Sequence, residues 1–304
     1  MNSILERKLP SELIIDNEVF QELRKRNDLK IFFQSLLNIG SYILVGLFGI
    51  WLNIWWIWPL LWICQGFLLS CFFDAAHECI HNNFSGSARL NRLAGTLWLL
   101  PLFVNFSQFK HYHLEHHKHT KLSNDPEPSE TFISISQYLL YFLIVVFVAH
   151  IKTSIEMALG RIPNYVRSDK LRRDINFNTL ALLLWLICII TCTVLFWQYT
   201  TLLYWCPLLF VYPIGLFTVT LEHYGCDESS CILSNTRSIS SNFLFRCLVW
   251  NGNYHAEHHA YPSVPAHNLP RLHTLIGKHF KYQERSYVMF HFKLIRSLLQ
   301  KSGN

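Results

Sequence analysis

The sequence is poor in charged residues, since Asp, Glu, Lys and Arg make up only 15% of its 304 residues, against about 25% in ordinary soluble domains. The shortage is concentrated in residues 31–73 and 175–221, two blocks that contain no charged residue and no histidine. A hydrophobic content of 51% excludes a disordered chain. Each block has room for two membrane-spanning helices of about 20 residues. We therefore predict two helical hairpins in a membrane.

The predicted turns of the hairpins also lack positive charge. The first turn falls at Leu52, Asn53 and Ile54, between tryptophans of the kind found where a helix leaves the hydrocarbon, and the second falls at residues 197–201. All 26 Lys and Arg residues lie outside the two blocks. By the positive-inside rule, we expect both hairpins to begin and end on the cytoplasmic side, with both chain termini there.

These blocks predict an all-α membrane protein with four transmembrane helices, interfacial helices and a cytoplasmic, histidine-rich helical cap. Residues 1–30 form a cytoplasmic N-terminal segment; their mixed charges and lack of an isolated apolar core do not indicate a cleavable signal. Residues 31–304 form a single membrane domain. Within it we expect the hairpins at 31–75 and 175–222, a cytoplasmic and interfacial region at 76–174, and the cytoplasmic cap and tail at 223–304.

Motifs for several cofactors are missing. The nine cysteines form no Cys-x-x-Cys pair and no zinc-ribbon spacing, and most of them lie in apolar runs where cysteine behaves as a small hydrophobe. We assign them no chemistry. The sequence has no Gly-x-Gly-x-x-Gly motif, so we do not expect a bound dinucleotide.

Histidine, in contrast, is abundant, and most of the 16 histidines occur in clusters. Residues three and four apart share one face of a helix, and neutral imidazole is a common ligand of iron, zinc and copper. A single tetrahedral zinc uses four ligands, whereas nine suit two ions with four or five each. The candidate metal ligands are His77, His81, His113, His116, His117, His223, His255, His258 and His259. For isolated histidines such as His150, His267 and His291 we expect ordinary surface or core roles.

One metal site built from all clusters constrains the topology. The number of membrane spans between His117 and His255 must be even, because both lie on the same side, and the second hairpin supplies two. A third apolar stretch, Thr131 to Ala149, is long enough to cross on hydropathy alone. We therefore predict that it is an interfacial or re-entrant helix.

The order HECIH, HLEHH and HAEHH, interleaved with two membrane hairpins, resembles the membrane fatty acid desaturase superfamily. The resemblance runs from about Asp74 to Leu272, with the first hairpin ahead of it. It implies a non-haem site of two Fe²⁺ ions on the cytoplasmic face of a four-helix membrane domain. It also implies use of O2 and of electrons supplied from outside. The resemblance assigns the eight box histidines as iron ligands, with His223 as the family's extra ligand at the end of the fourth span.

Residues near the boxes are candidates for orienting the imidazoles. Some relatives carry an Asn one turn before the extra histidine; this position is Val219 here, and we consider Asn251, one turn before His255, as a substitute. Each box also carries a glutamate, Glu78, Glu115 or Glu257. Each either lies on a solvated helix face or accepts from an imidazole N–H. Asp74, one turn before His77, has the same two interpretations.

Three functions are compatible with these features. The first is a desaturase that introduces a double bond into a lipid acyl chain. The second is a carotenoid ketolase or hydroxylase, or another lipid hydroxylase, with the same di-iron core. The third, from a different class, is a zinc-binding or metal-transport membrane protein, although transport sites normally lie near the middle of the membrane.

The net charge of +6 is explained by topology and does not indicate a nucleic-acid partner. Electrons would come from a carrier such as ferredoxin or cytochrome b5, which are generally acidic. The basic C-terminal region offers such a carrier electrostatic steering. The same charges equally suit binding to anionic lipid. This region contains Lys278, Lys281, Arg285, Lys293, Arg296 and Lys301.

Overall fold

A computed structural model describes residues 9–127, 131–161, 166 and 168–301. Most of these residues are helical, as the sequence predicts. The α-helices are α1 (Asn17–Leu23), α2 (Asp28–Leu52), α3 (Trp58–Ile80), α4 (Ala88–Leu99), α5 (Phe106–His119), α6 (Ile135–Leu140), α7 (Val146–Ala158), α8 (Asp169–Leu195), α9 (Trp197–Thr200), α10 (Cys206–His223), α11 (Phe243–Leu248), α12 (His255–Ala260), α13 (Leu269–Ile276) and α14 (Tyr287–Lys301). Short 3₁₀ helices occupy Ser11–Leu13, Trp55–Ile57, Leu100–Leu102, Ala266–Asn268 and Gly277–His279, and π-helical turns occupy Tyr141–Val145 and Thr201–Trp205.

The first predicted hairpin is present as α2 and α3. Helix α2 starts after Asn27, whose side chain accepts a hydrogen bond from the Lys30 backbone N–H, and it ends at Asn53 in the left-handed conformation (φ 51°). Asparagine tolerates that conformation better than most residues. The two helices pack closely, because a Cβ on Gly49 would lie 2.6 Å from the Leu61 side chain.

The second predicted hairpin differs from the expectation in two details. Helix α8 begins at Asp169, before the uncharged block, because the Ser168 side chain caps its first turn. Helix α8 ends at Leu195, and residues 197–200 of the predicted turn form the short helix α9. The π-helical turn Thr201–Trp205 follows, and α3 and α2 hold it in place. Trp62 on α3 donates to the Leu202 carbonyl (3.0 Å), and the Tyr42 hydroxyl on α2 donates to the Leu203 carbonyl. Helix α10 then packs along α3 rather than along α8.

The described residues contain five helical segments long and apolar enough to cross a membrane. Four are the helices of the hairpins, and the fifth is Ile135–Met157, which covers the third apolar stretch. Length and composition do not decide whether this segment crosses, so its interfacial placement stays a prediction. The predicted count of four transmembrane helices stays a prediction with it.

The polar part of the chain packs over one end of the long helices. Two strands that were not predicted, β1 (Arg237–Ile239) and β2 (Tyr282–Glu284), pair in parallel with Ser238 opposite Gln283. A core centred on α12 and α13 also takes in the N-terminal segment, where the Tyr261 hydroxyl donates to the Leu13 carbonyl (2.7 Å). This layer carries the third histidine box over the ends of α3 and α10.

Candidate metal centre

The packing of α3 along α10 brings the histidines of distant segments together. His77 and His81 lie at the end of α3, and His223 is the last residue of α10. Helix α5 carries the second box beside them, and the short helix α12 carries the third. All nine histidines proposed from the sequence meet in this one region.

They form two groups rather than one. The side chains of each group offer ligand nitrogens that lie within 4.8 Å of one another. The first group contains His77, His81, His113, His117 and His258, and the second contains His116, His223, His255 and His259. The nine nitrogens expected from the sequence are therefore divided five and four.

Each histidine triplet is divided between the groups. On α5, His113 and His117 face the first group and His116 faces the second; on α12, His255 and His259 face the second group and His258 the first. The i and i+4 residues stay together, and the residue between them points to the neighbouring group. The rotation of 100° per residue separates i+3 from i+4 enough for one triplet to serve two adjacent centres.

The ring nitrogens converge at short distances. In the first group the Nε2 atoms of His81 and His113 lie 3.0 Å apart, those of His113 and His117 lie 2.9 Å apart, and those of His117 and His258 lie 3.1 Å apart. In the second group, Nε2 of His223 lies 3.2 Å from that of His116 and 3.0 Å from that of His255.

Hydrogen bonds fix the tautomers in the second group. Nδ1 of His223 lies 3.0 Å from the Asn235 carbonyl, which only accepts, so this nitrogen carries the proton. Nδ1 of His116 lies 2.9 Å from the Asp125 carboxylate, and Nδ1 of His255 lies 3.4 Å from the Glu222 carboxylate. In His223 and His116 the Nε2 lone pair is thereby left directed at the other rings of the group, whereas the 3.4 Å contact of His255 does not by itself fix its tautomer.

Thr120 fixes the fourth ring of this group by the same logic. Its hydroxyl donates to the His116 carbonyl (2.8 Å), so it accepts from Nδ1 of His259 at 3.3 Å. Nε2 of His259 is then an unprotonated, buried atom that has no hydrogen-bond partner among the described residues. A buried acceptor left in this way indicates a ligand that the protein itself does not supply.

Burial keeps the imidazoles neutral. Desolvation, with a smaller contribution from the neighbouring rings, lowers the pKa of His81, His113, His117, His255, His258 and His259 well below the usual value. Burial acts to raise the pKa of Asp125, but its hydrogen bonds with His116 and with the Glu127 and Lys121 backbone N–H groups hold that pKa below its ordinary value. Neutral imidazole and ionised carboxylate are the forms that metal binding requires.

The donor set fits metal ions. Imidazole nitrogens about 2.1 Å from a first-row ion lie about 3 Å from one another, which matches the observed separations of 2.9–3.2 Å. Neutral rings at such distances cannot all be joined by hydrogen bonds, because His117 and His223 each have two Nε2 neighbours and one ring nitrogen donates at most once.

The glutamates proposed to orient imidazoles have other partners. Glu78 accepts from the backbone N–H of Ala266 at 2.8 Å, and so holds the segment after the third box. Glu257 is fully buried and accepts from Ser238 (3.0 Å) and from Nδ1 of His273 (2.5 Å). Glu115 lies at the surface and pairs with Lys118 and His119. None of these described bonds reaches the nine clustered histidines.

Asp74 and Asn251 have different positions. Asp74 lines a cavity of about 10 Å³ together with His77, His255 and His258, which is about the room that one water molecule needs. Asn251 adopts the left-handed conformation (φ 53°), and its backbone bonds to Arg246 and Tyr254.

The sequence therefore missed four of the groups that contact the rings: Asp125, Glu222, Thr120 and Asn235. Glu222 could have been noted as a carboxylate directly before His223, and Asp125 as the acid that follows the second box. No pattern in the sequence distinguishes Thr120 from other threonines. The Asn235 group could not be found either, because every residue has a backbone carbonyl.

Comparison with known proteins agrees with this site. The family model described as fatty acid desaturase matches residues 37–291, which include every clustered histidine. An sn-1 oleoyl-lipid 12-desaturase from Anabaena variabilis is 35% identical over 36% of this chain and 31% of its own length. A chloroplastic omega-6 fatty acid desaturase from Brassica napus is 26% identical over 86% of this chain and 62% of its own.

A third relative is the sn-2 acyl-lipid omega-3 desaturase (ferredoxin), chloroplastic, from Helianthus annuus, which is 35% identical over 28% of this chain and 20% of its own length. The matched regions thus span less than two thirds of each of these relatives. The match of the family model, in contrast, covers most of the chain, including most of the first hairpin, the whole of the second and all three histidine boxes. The chain belongs to the fatty acid desaturase family.

Proposed function

We propose that this protein is a desaturase that introduces a double bond into the acyl chain of a membrane lipid. The observation that supports the proposal most directly is the pair of adjacent histidine groups, of five and four members, with their Nε2 atoms directed inward. The names of the relatives specify 12-, omega-6 and omega-3 desaturases, two of which act on lipid-bound chains. No described feature favours a ketolase or hydroxylase.

The nine histidines are the proposed ligands of two iron ions. Bound iron would supply the oxidising power, drawn from O2 and externally delivered electrons, that removal of hydrogen from an unactivated C–H bond requires. In the balanced reaction, O2, two electrons and two protons are consumed with the two hydrogens of the acyl chain, and an alkene and two waters are formed. The protein's contribution is to position the groups and to keep the site dry.

Individual residues can be assigned to that contribution. Asp125, the Asn235 carbonyl and the Thr120 hydroxyl hold the Nδ1 protons of His116, His223 and His259 and leave Nε2 free to coordinate. Seven of the nine rings are buried, with His116 and His258 only 2% exposed, and this burial limits the access of bulk water to the site. An apolar acyl chain would reach it from the lipid-facing helices.

We also propose that the segment Ile135–Met157 does not cross the membrane. In the sequence, His117 precedes this segment, α8 and α10, and His258 follows all three. Their Nε2 atoms are nevertheless 3.1 Å apart. Three crossings would place them on opposite faces of the membrane. Two crossings, by α8 and α10, keep both on one face, and the basic loops suggest that this face is cytoplasmic.

Electrons would arrive from a ferredoxin-type carrier, which the name of the sunflower relative mentions. The basic surface of the cap would attract such an acidic protein.

The test is expression of the full chain in a host that lacks polyunsaturated lipids, followed by lipid and pigment profiling. We expect new double bonds in lipid-bound acyl chains, two irons per purified chain, and loss of both activity and iron in His258→Ala. The matched control is His119→Ala, on the same helix as the second box but 35% exposed and outside both groups. A changed pigment pattern with unchanged acyl chains, or zinc in place of iron without O2-dependent turnover, would overturn the proposal.

A further inference from the structure

The C-terminal helix α14 has a buried face and an exposed apolar stripe. Tyr287, His291 and Leu298 are buried against the protein. Beside them Val288 is 66% exposed and Phe292 is 59% exposed. Together with the half-buried Ile295 they follow the i, i+4, i+7 spacing of a single stripe on a helix. The protein therefore leaves an apolar strip of this helix uncovered.

The polar side of the same helix is basic. Residues 285–301 contain Arg285, Lys293, Arg296 and Lys301 and no acidic residue. Lys293 lies 3.5 Å from Glu284. Arg296 and Lys301 form no ion pair within the described part of the chain. Arg296, one turn after Phe292, borders the apolar stripe. An apolar stripe beside an unneutralised cation is typical of helices that lie in a membrane surface.

The helix is fixed at the level where a long apolar helix ends. Tyr287 packs against Leu221, two residues before the end of α10. Nε2 of His291 donates to the Phe217 carbonyl at 2.8 Å, so its Nδ1 accepts from the Tyr138 hydroxyl at 2.9 Å. These contacts tie α14 to the last turns of a candidate span and to α6. The end of a span lies at the depth of the lipid headgroups.

We propose that α14 lies in the membrane interface, with Val288 and Phe292 among the acyl chains and with Arg296 at the phosphates of anionic lipids. A lipid surface satisfies both features at once: the apolar layer takes the stripe and the negative headgroups take the charges. An acidic carrier protein would meet the charges but would leave the apolar stripe in water. The tail is in this way a membrane-binding element of the enzyme.

Photocrosslinking tests this placement in the full-length chain. Phe292→p-benzoylphenylalanine is reconstituted in vesicles of phosphatidylcholine with about 20 mol% phosphatidylglycerol, irradiated and analysed by mass spectrometry. The control on the polar arc is Ser297→p-benzoylphenylalanine, which is exposed on the same helix. The positive control is Leu44→p-benzoylphenylalanine, 65% exposed on α2.

We expect phospholipid adducts at positions 292 and 44 and none at 297. A second variant, Val288→p-benzoylphenylalanine, should behave as the one at 292 does and replaces it if that chain folds poorly. Adducts at position 44 alone would overturn the proposal. Crosslinks from 292 to added ferredoxin or to a second copy of the chain, without lipid adducts, would overturn it as well.

The charged part of the proposal has its own readout. Removing phosphatidylglycerol should lower the adduct yield at 292, and Arg296→Gln should reduce that yield in anionic vesicles by about fivefold. The same substitution should leave the yield in pure phosphatidylcholine unchanged. An adduct yield that is independent of both lipid charge and Arg296 would show that headgroup charge does not hold this helix.

Discussion

Replacement of Asp125 by asparagine should damage the second histidine group without removing a ligand. The Asp125 side chain is only 5% exposed and accepts three hydrogen bonds. Oδ1 accepts from Nδ1 of His116 (2.9 Å) and from the Glu127 backbone N–H (2.9 Å), and Oδ2 accepts from the Lys121 backbone N–H (2.8 Å). Asparagine offers one acceptor oxygen and one NH₂ group, so one of these donors must face another donor.

Both orientations of the amide are unfavourable. If the oxygen stays toward His116, the Lys121 N–H is left buried without an acceptor, at about 1–3 kcal/mol. If the NH₂ group faces His116 instead, Nδ1 must accept, and the proton moves to Nε2, the atom directed into the group. Loss of such an orienting partner typically costs about 10–100-fold in metal affinity or activity.

The assay is the iron content of the purified chain after a fixed chelator challenge, together with desaturase turnover. Asp125→Asn should retain the five-histidine group and lose iron from the four-histidine group first. The control is Asp174→Asn, a more exposed carboxylate paired with Arg92 away from the clusters, which should cost at most about 1 kcal/mol of stability. Iron retention and turnover equal to the wild type would refute the assigned role of Asp125.

Three further changes have expected outcomes. Gly95→Ala should lower the unfolding free energy by about 1–3 kcal/mol, because its Cβ would lie 2.1 Å from the Phe106 ring. The control Gly40→Ala, with no atom within 4 Å of its Cβ, should not lower it. Equal melting temperatures of the two variants would contradict this expectation. Arg237→Met should cost about 1–3 kcal/mol by thermal unfolding, because the buried guanidinium donates to two carbonyls at the end of α10; an unchanged midpoint would remove that role. Adding Fe²⁺ at about 100 times its dissociation constant should stabilise the metal-free protein by about 2.7 kcal/mol for each of the two proposed sites, and the gain should shrink in His258→Ala; an equal gain in both would place the iron elsewhere.

The elements that depend on local sequence were predicted well. The turn at Asn53 between α2 and α3 follows from an uncharged run interrupted by asparagine between tryptophans, although the two helices extend beyond the predicted 31–75, to Asp28 and Ile80. The eight box histidines were identified because helical spacing brings i, i+3 and i+4 residues toward one side, and His223 because it follows the second uncharged block. The start of α8 was placed too late, since the prediction followed the loss of charge, whereas Ser168 caps the helix earlier.

The sequence by itself determined which residues are apolar, which are potential ligands and how they repeat, because periodicity and hydropathy are local properties. Only the tertiary structure decided how the histidines are divided between the two groups, with His116 in one and His117 in the other. This division depends on the angle at which α5 meets α3, α10 and α12. It also decided that Asp125, Glu222, Thr120 and the Asn235 carbonyl, rather than the box glutamates, contact the rings. Hydrogen bonds between segments far apart in the chain require positions in space, which spacing along the chain does not specify.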